Sequence, residues 1–191
     1  MAKSEKEKML TGEVYNSRDP ELLERYHLAR ELMLEFNQLS SRNFERKSEI
    51  LHQLLGEVGD GVWIEAPFYC DYGQNIKLGK NTFLNFNCLF LDDNSITVGK
   101  NGLIGPNVQI YTASHPLAAH ERIVADPEER YLTLTKAVHI GDNAWIGGNT
   151  LIMPGVTIGN NVTIGAGSLV TKDIPDNCLA MGSPCKVVRK L

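Results

Sequence analysis

The sequence predicts a mainly β protein: a parallel β-helix of six-residue repeats, with an N-terminal two-helix module and a protruding loop. Three observations carry this. Residues 140–175 read in unbroken sixes, as IGDNAW, IGGNTL, IMPGVT, IGNNVT, IGAGSL and VTKDIP. Position one is always Ile or Val, at Ile140, Ile146, Ile152, Ile158, Ile164 and Val170. Position five is small or β-branched, at Ala144, Thr150, Val156, Val162, Ser168 and Ile174. A six-residue period marks a parallel β-helix. Each hexad makes one flat strand and one turn, and three hexads close a triangular coil. The residue at position one points inward and stacks on its equivalent one coil later. Gly, Asn and Asp fill corners, where positive φ is cheapest for them.

Bulk properties bound the class. The chain has 191 residues, enough for one repeat domain and an appendage. Its net charge of −4 argues against broad nucleic-acid binding. The four cysteines, Cys70, Cys88, Cys178 and Cys185, form no C-x-x-C pair, so neither a zinc knuckle nor a redox motif is suggested. No apolar run reaches membrane-spanning length, and MAKSEKEKML holds no signal-peptide h-region. A cytoplasmic protein without membrane or nucleic-acid partners is expected.

In chain order, residues 1–58 carry no hexads and form the helical module. Asp19 is a good N-cap and Pro20 suits the first helical turn. Leu22, Tyr26, Ala29, Met33 and Phe36 then recur at spacings of three and four and give one apolar face. A second helix is expected from just after Ser40 or Ser41 to about Val58, with Ile50, Leu51, Leu54, Leu55 and Val58 as its stripe. Two such helices cannot bury those stripes alone. They must dock on the β-helix or on a neighbouring subunit.

Gly59 to Gly61 is the expected junction, and residues 59–191 the β-helix domain. A looser repeat starts at Val62. Leu78, Leu84 and Phe90 are six apart; after a two-residue slip at 92–95, Val98, Ile104 and Ile110 resume the period. The slip coincides with the acidic pair Asp92 and Asp93. Residues 114–135 break the period completely and hold His115, His120, Glu121, Arg122, Glu128, Glu129 and Arg130. Long excursions from a repeat scaffold are commonly functional loops. The tail, 176–191, carries Lys186, Arg189 and Lys190 and no acid beyond Ser183.

With the N-terminal helices, the CDYG of Cys70 to Gly73, the LNFN of Leu84 to Asn87, the TASHP of Thr112 to Pro116, the WIGGN of Trp145 to Asn149 and IGAGSLVTKDIP, the sequence resembles the maltose and galactoside O-acetyltransferases. The resemblance covers essentially the whole chain. It implies a left-handed β-helix, acetyl transfer from acetyl-CoA to a sugar hydroxyl, typically the primary one, and a homotrimer with sites between subunits. No metal is implied.

The site residues follow from that resemblance. A sugar hydroxyl is far too weak an acid to ionise at neutral pH, so a base must take its proton during attack on the thioester. Histidine suits that task, and His115 matches the family's catalytic histidine. Asn85, which matches the residue beside it, can donate an amide hydrogen to the developing oxyanion or to the cofactor. Asp71 and Asp93 match positions that contact the acceptor; carboxylates accept hydrogen bonds from neighbouring hydroxyls. Ser17 stands where some relatives place an aspartate, and Asp19 is its possible substitute. Trp145 either walls the acceptor site or fills a corner. For CoA, Gly148 and Ala166 match places where a small residue lets the pantetheine arm approach. Thr171 and Lys172 match the turn meeting the distal cofactor, and Lys186 and Arg189 match basic positions near its phosphates.

Three other readings compete. The γ-class carbonic anhydrases share the fold, but no histidine lies between His52 and His115 to complete a three-ligand zinc site with His115 and His120. A non-catalytic β-helix scaffold would tolerate a damaged SHP or NFN stretch, and both are intact. An acetyltransferase with a non-sugar acceptor, whether xenobiotic, amine or serine, would keep the same cofactor side.

Overall fold

The computed structural model describes residues 2–125 and 129–191. The repeats close a parallel β-helix with three sheets, here called faces one, two and three. Face one stacks Glu57–Val58, Ile76–Leu78, Ile96–Val98, Val138–Ile140 and Thr157–Ile158. Face two stacks Trp63–Ile64, Phe83–Leu84, Leu103–Ile104, Trp145–Ile146, Thr163–Ile164 and Cys178–Met181. Face three stacks Phe68–Cys70, Cys88–Leu91, Gln109–Tyr111, Leu151–Ile152 and Leu169–Val170. All these pairings are parallel; Lys186–Lys190 then folds back antiparallel on Cys178–Met181 and closes face two.

The hexads explain the core. Every position-one residue from Ile140 to Val170, and every position-five residue from Ala144 to Ile174, is buried. Thr150 and Ser168 keep their hydroxyls inside by donating to Gly147 O (2.7 Å) and Gly165 O (2.5 Å). The corner between faces one and two is an asparagine column. Asn81, Asn101, Asn143, Asn161 and Asn177 all have φ between 55° and 58°. Each of the first four donates its amide to the next, three of the bonds at 2.9 Å. Asparagine tolerates the left-handed region and here also feeds a ladder that runs across coils.

The N-terminal module contains three helices rather than two. The added α1, Glu5–Thr11, has only Met9 buried, so no apolar stripe announces it. Its legible signal is the capping box of Ser4 and Glu7. α2 spans Pro20–Gln38, with the Asp19 carboxylate accepting from Glu21 N at 3.0 Å. α3 spans Phe44–Leu54 and so ends short of Val58. The chain instead turns extended, and Glu57–Val58 pairs with Lys77–Leu78 as the first rung of face one. Met33, Phe36, Ile50 and Leu54 join the core over Ile64 and Phe68 and plug the open end of the solenoid. Asn37 completes the plug: its side chain donates to Phe68 O (3.0 Å) and accepts from Phe68 N (2.9 Å). That satisfies an edge strand which would otherwise expose its backbone. No helix among the described residues is long and apolar enough to cross a membrane.

The slip at 92–95 is a buried polar knot. The Asp92 carboxylate accepts from the backbone N–H of Asp71 (2.9 Å), Tyr72 (2.8 Å) and Asn75 (3.3 Å). Asn94 Nδ2 donates to Met9 O and Leu10 O, both at 3.2 Å, and to Thr135 Oγ1 at 3.1 Å. One side chain thereby ties α1, the coil and the returning end of the long loop. That loop leaves at Ala113–Ser114 and returns at Leu134–Thr135, the two pairing antiparallel. Within it Ile123–Val124 pairs antiparallel with Arg130–Tyr131. Glu128 lies outside the described residues.

Candidate active site

His115 stands at the base of the loop, just past face three, at the corner leading to face one. It is exposed. Its Nδ1 lies 2.8 Å from Leu132 O. A carbonyl only accepts, so Nδ1 carries the hydrogen, and in the neutral ring Nε2 keeps its lone pair. Among the described residues nothing bonds Nε2. The Tyr131 ring lies 6.3 Å from the imidazole, centroid to centroid.

The same corner carries the acids. Asp71 follows the first strand of face three, and Asp93 follows the second. Their carboxyls are in side-chain contact, and His115 lies close enough to act electrostatically on Asp93. Burial, then the Asp93 charge, pushes Asp71 up to about 6, against the pull of Arg30. Burial raises Asp93 as well, partly offset by the Tyr15 hydrogen bond. Two like carboxyls in contact in a half-dry site cannot both ionise easily, so the pair favours holding a proton. Asp92, by contrast, is fully buried and committed to backbone N–H groups, which makes it architectural.

Sequence reasoning missed two neighbours of this pair. Tyr15 OH donates to Asp93 Oδ1 at 3.0 Å, and burial pushes its phenol up, so it stays a donor. Arg30 donates to Asp71 Oδ1 at 3.1 Å while its guanidinium stacks 4.5 Å over the Tyr26 ring. Neither had a motif. Their roles come from contacts 78 and 41 residues apart in the chain. Ser17 is half-buried with no side-chain bond among the described residues. Asp19, its possible substitute, is occupied as the α2 cap.

Asn85 lies elsewhere, at the corner leading from face two to face three. Its Oδ1 accepts from Phe86 N at 2.8 Å, and no described residue engages its Nδ2. Phe86, Pro106, Gly148 and Ala166 follow one another down that corner. The bonds Asn107 N to Phe86 O (3.1 Å), Asn149 N to Pro106 O and Gly167 N to Gly148 O (both 2.9 Å) fix the order. The corner is narrow: a Cβ on Gly148 would sit 3.0 Å from Pro106 O, and one on Gly147 2.4 Å from Ala166 N. Bare backbone there lets neighbouring coils approach closely. The fold thus gathers Asn85, Gly148 and Ala166 on one corner, and His115, Asp71 and Asp93 on another.

Thr171 and Lys172 are exposed just after the last strand of face three, on the His115 side. Lys186 and Arg189 are exposed on the final strand of face two. Trp145 is 56% exposed and projects from face two, so it does not fill a corner. A groove of about 370 Å³ between α3 and the first coil, lined by Phe44, Lys47, His52 and Trp63, contains none of these residues. No group of three or more His, Cys, Asp and Glu among the described residues could hold a metal ion.

Comparison with known proteins gives this arrangement a lineage. A maltose acetyltransferase hexapeptide capping motif matches residues 8–59, and a six-repeat bacterial transferase hexapeptide matches residues 137–172. The galactoside O-acetyltransferase of Escherichia coli K12 is 39% identical over 185 residues, 97% of this chain and 88% of its own. A crystal structure of a maltose O-acetyltransferase from Clostridium difficile 630 superposes with a TM-score of 0.94 at 46% identity, covering 100% of this chain and 99% of the other. A hexapeptide-repeat acetyltransferase of Vibrio cholerae, solved with acetyl coenzyme A, superposes at 0.90 with 38% identity and 99% coverage of both chains. The chain is an acetyltransferase and belongs to the maltose and galactoside O-acetyltransferase family of hexapeptide-repeat proteins.

Proposed function

We propose that the protein moves the acetyl group of acetyl-CoA directly to a hydroxyl, most often a primary one, of a sugar such as maltose, glucose or a galactoside. The observation that carries this is the His115 tautomer. With Nδ1–H held on Leu132 O, Nε2 is an acceptor beside the Asp71–Asp93 pair. The sugar hydroxyl loses its proton to Nε2 as its oxygen attacks the thioester carbonyl. The tetrahedral intermediate then collapses, the C–S bond breaks, and the imidazolium returns the proton to the leaving thiolate. The Asn85 amide suits the oxyanion. The acid pair offers both a donor and acceptors, which fits neighbouring sugar hydroxyls. The related Vibrio protein solved with acetyl-CoA supports the donor.

The working unit in this reading is a homotrimer. His115 and Asn85 stand at different corners of one prism, so a site using both takes them from two chains. CoA then lies along the edge of Gly148 and Ala166 in one subunit and past Thr171 and Lys172 in the next, with Lys186 and Arg189 near its phosphates. Trp145 walls the acceptor end or the interface.

The test is an acceptor panel with acetyl-CoA, following thiol release across maltose, glucose, galactosides, amines, serine and chloramphenicol. Saturable turnover with sugars is expected. Turnover confined to amines would favour the second reading, which the acidic pair also fits, of a cationic acceptor. His115→Ala should lower kcat by roughly 10² to 10⁴-fold, the usual contribution of a general base. Near-normal turnover would remove His115 from this role.

A further inference from the structure

We propose that Arg122 is the positioning residue for His115, and that the long loop is folded back to deliver it. The inference rests on the reading of His115 as the base. His115 sits on the outgoing arm of the loop and Leu132 on the returning arm. Arg122 lies between them and touches both. Its Nε donates to Pro116 O at 2.9 Å and its Nη2 to Leu117 O at 2.8 Å. Its own carbonyl accepts from Leu132 N at 2.8 Å. The Leu132 carbonyl in turn holds His115 Nδ1 at 2.8 Å. The circuit is closed: imidazole, returning arm, Arg122, outgoing arm, imidazole.

The local sequence shows why a side chain is needed. Sheet pairing of the outgoing arm stops at Ser114 and resumes only at Ile123. Between them, no strand holds the chain beside the catalytic ring. Pro116 has no N–H, so on the backbone the residue after the ring can be tied only through its carbonyl. The planar fork of a guanidinium bonds two carbonyls at once, which an ammonium does as a point charge with less geometry. The consequence is chemical as well as steric. An imidazole has two neutral tautomers, and only the Nδ1–H form leaves Nε2 able to take a proton. Leu132 O selects that form only while both arms stay in register, and Arg122 holds the register.

The experiment compares Arg122→Met, which keeps length and loses the fork, with Arg122→Lys, which keeps the charge. Four quantities are read: kcat, KM for each substrate, the melting temperature, and ¹⁵N shifts of the His115 ring above its titration. The ring is assigned by its loss in His115→Ala. Arg122→Met should lower kcat roughly 10- to 100-fold, the scale of a misplacement of about 1 Å. KM for acetyl-CoA should stay within about twofold, and a population of the Nε2–H tautomer should appear. Arg122→Lys should recover part of both losses. A pure Nδ1–H ring with unchanged kcat in Arg122→Met would overturn the proposal. So would a kcat that merely tracks the folded fraction. If Arg122→Met does not fold, Arg122→Lys decides by the same readouts. Failure of the wild type to acetylate any acceptor would instead refute the function, while the tautomer measurement still judges Arg122.

Discussion

Faces one and two of the prism share an interior and differ outside. Inward, both stack aliphatic rungs: Leu78, Val98, Ile140 and Ile158 on face one, Leu84, Ile104, Ile146 and Ile164 on face two, all at most 3% exposed. Outward, the face-one ladder reads Glu57, Lys77, Thr97, His139 and Thr157. The face-two ladder reads Trp63, Phe83, Leu103, Trp145, Thr163 and Leu179. Face three resembles face two outside, with Tyr69, Leu89, Gln109, Leu151 and Leu169. Identical rungs therefore carry opposite surfaces. The rungs make the coil; the outer ladders decide what meets it. A contiguous apolar band on a protein surface marks an interaction site, and these two bands flank the Asn85 corner. The face-one ladder is the polar one of the three.

The sharpest way to break this contrast is a charge on each ladder. Leu103→Asp puts a carboxylate in the middle of face two, where Leu103 is 51% exposed in the single chain. If that band is covered by another subunit, the unpaired charge costs roughly 3–5 kcal/mol per contact. Light scattering should then give a monomer mass and kcat/KM should fall at least 100-fold. Thr97→Glu, the matching change on face one, should alter neither by more than about twofold. Equal tolerance at both positions would end the argument that face two is buried in an assembly.

How much of this was legible beforehand depended on range. The rungs were readable because one period governs them, and each Ile or Val at position one is found inside. α1 was hidden because seven residues with one buried side chain make no stripe. The end of α3 was misread because Leu55 and Val58 stay in helical phase. Tertiary packing decides otherwise at Gly56, where a Cβ would lie 2.2 Å from Gln74 O, and the chain runs on as a strand. His115 was found only through a motif. Tyr15, Arg30 and Arg122 were not, since each acts on a segment whose place only the fold reveals. The separation of His115 and Asn85 onto two corners was equally invisible, because hexad phase gives a residue's position in its turn and not its partner.

A second change sharpens the comparison at the foot of face two, where the apolar band gives way to the basic strand Lys186–Lys190. If Lys186 and Arg189 face the CoA phosphates, Lys186→Ala with Arg189→Ala should raise KM for acetyl-CoA about tenfold, the equivalent of ~1.4 kcal/mol. kcat should stay within about threefold, and dephospho-CoA substrates should lose less. An unchanged KM would mean that the strand only closes the sheet.

The smallest expected effect tests the part of the argument that the two faces share. Asn143 lies on the corner between them, at φ 56°, and links Asn101 to Asn161. Alanine there must hold a left-handed backbone without the amide ladder, a strain of about 1–2 kcal/mol. Asn143→Ala should therefore lower the melting temperature by several degrees. Glycine at the same place should lower it less, since glycine meets no left-handed penalty. Neither should change the assembled mass or KM for acetyl-CoA, because the corner column belongs to the coil and not to the ladders. A loss of assembly from Asn143→Ala would mean that rung and surface are not separable, and that the outer bands depend on corner geometry as much as on their own side chains.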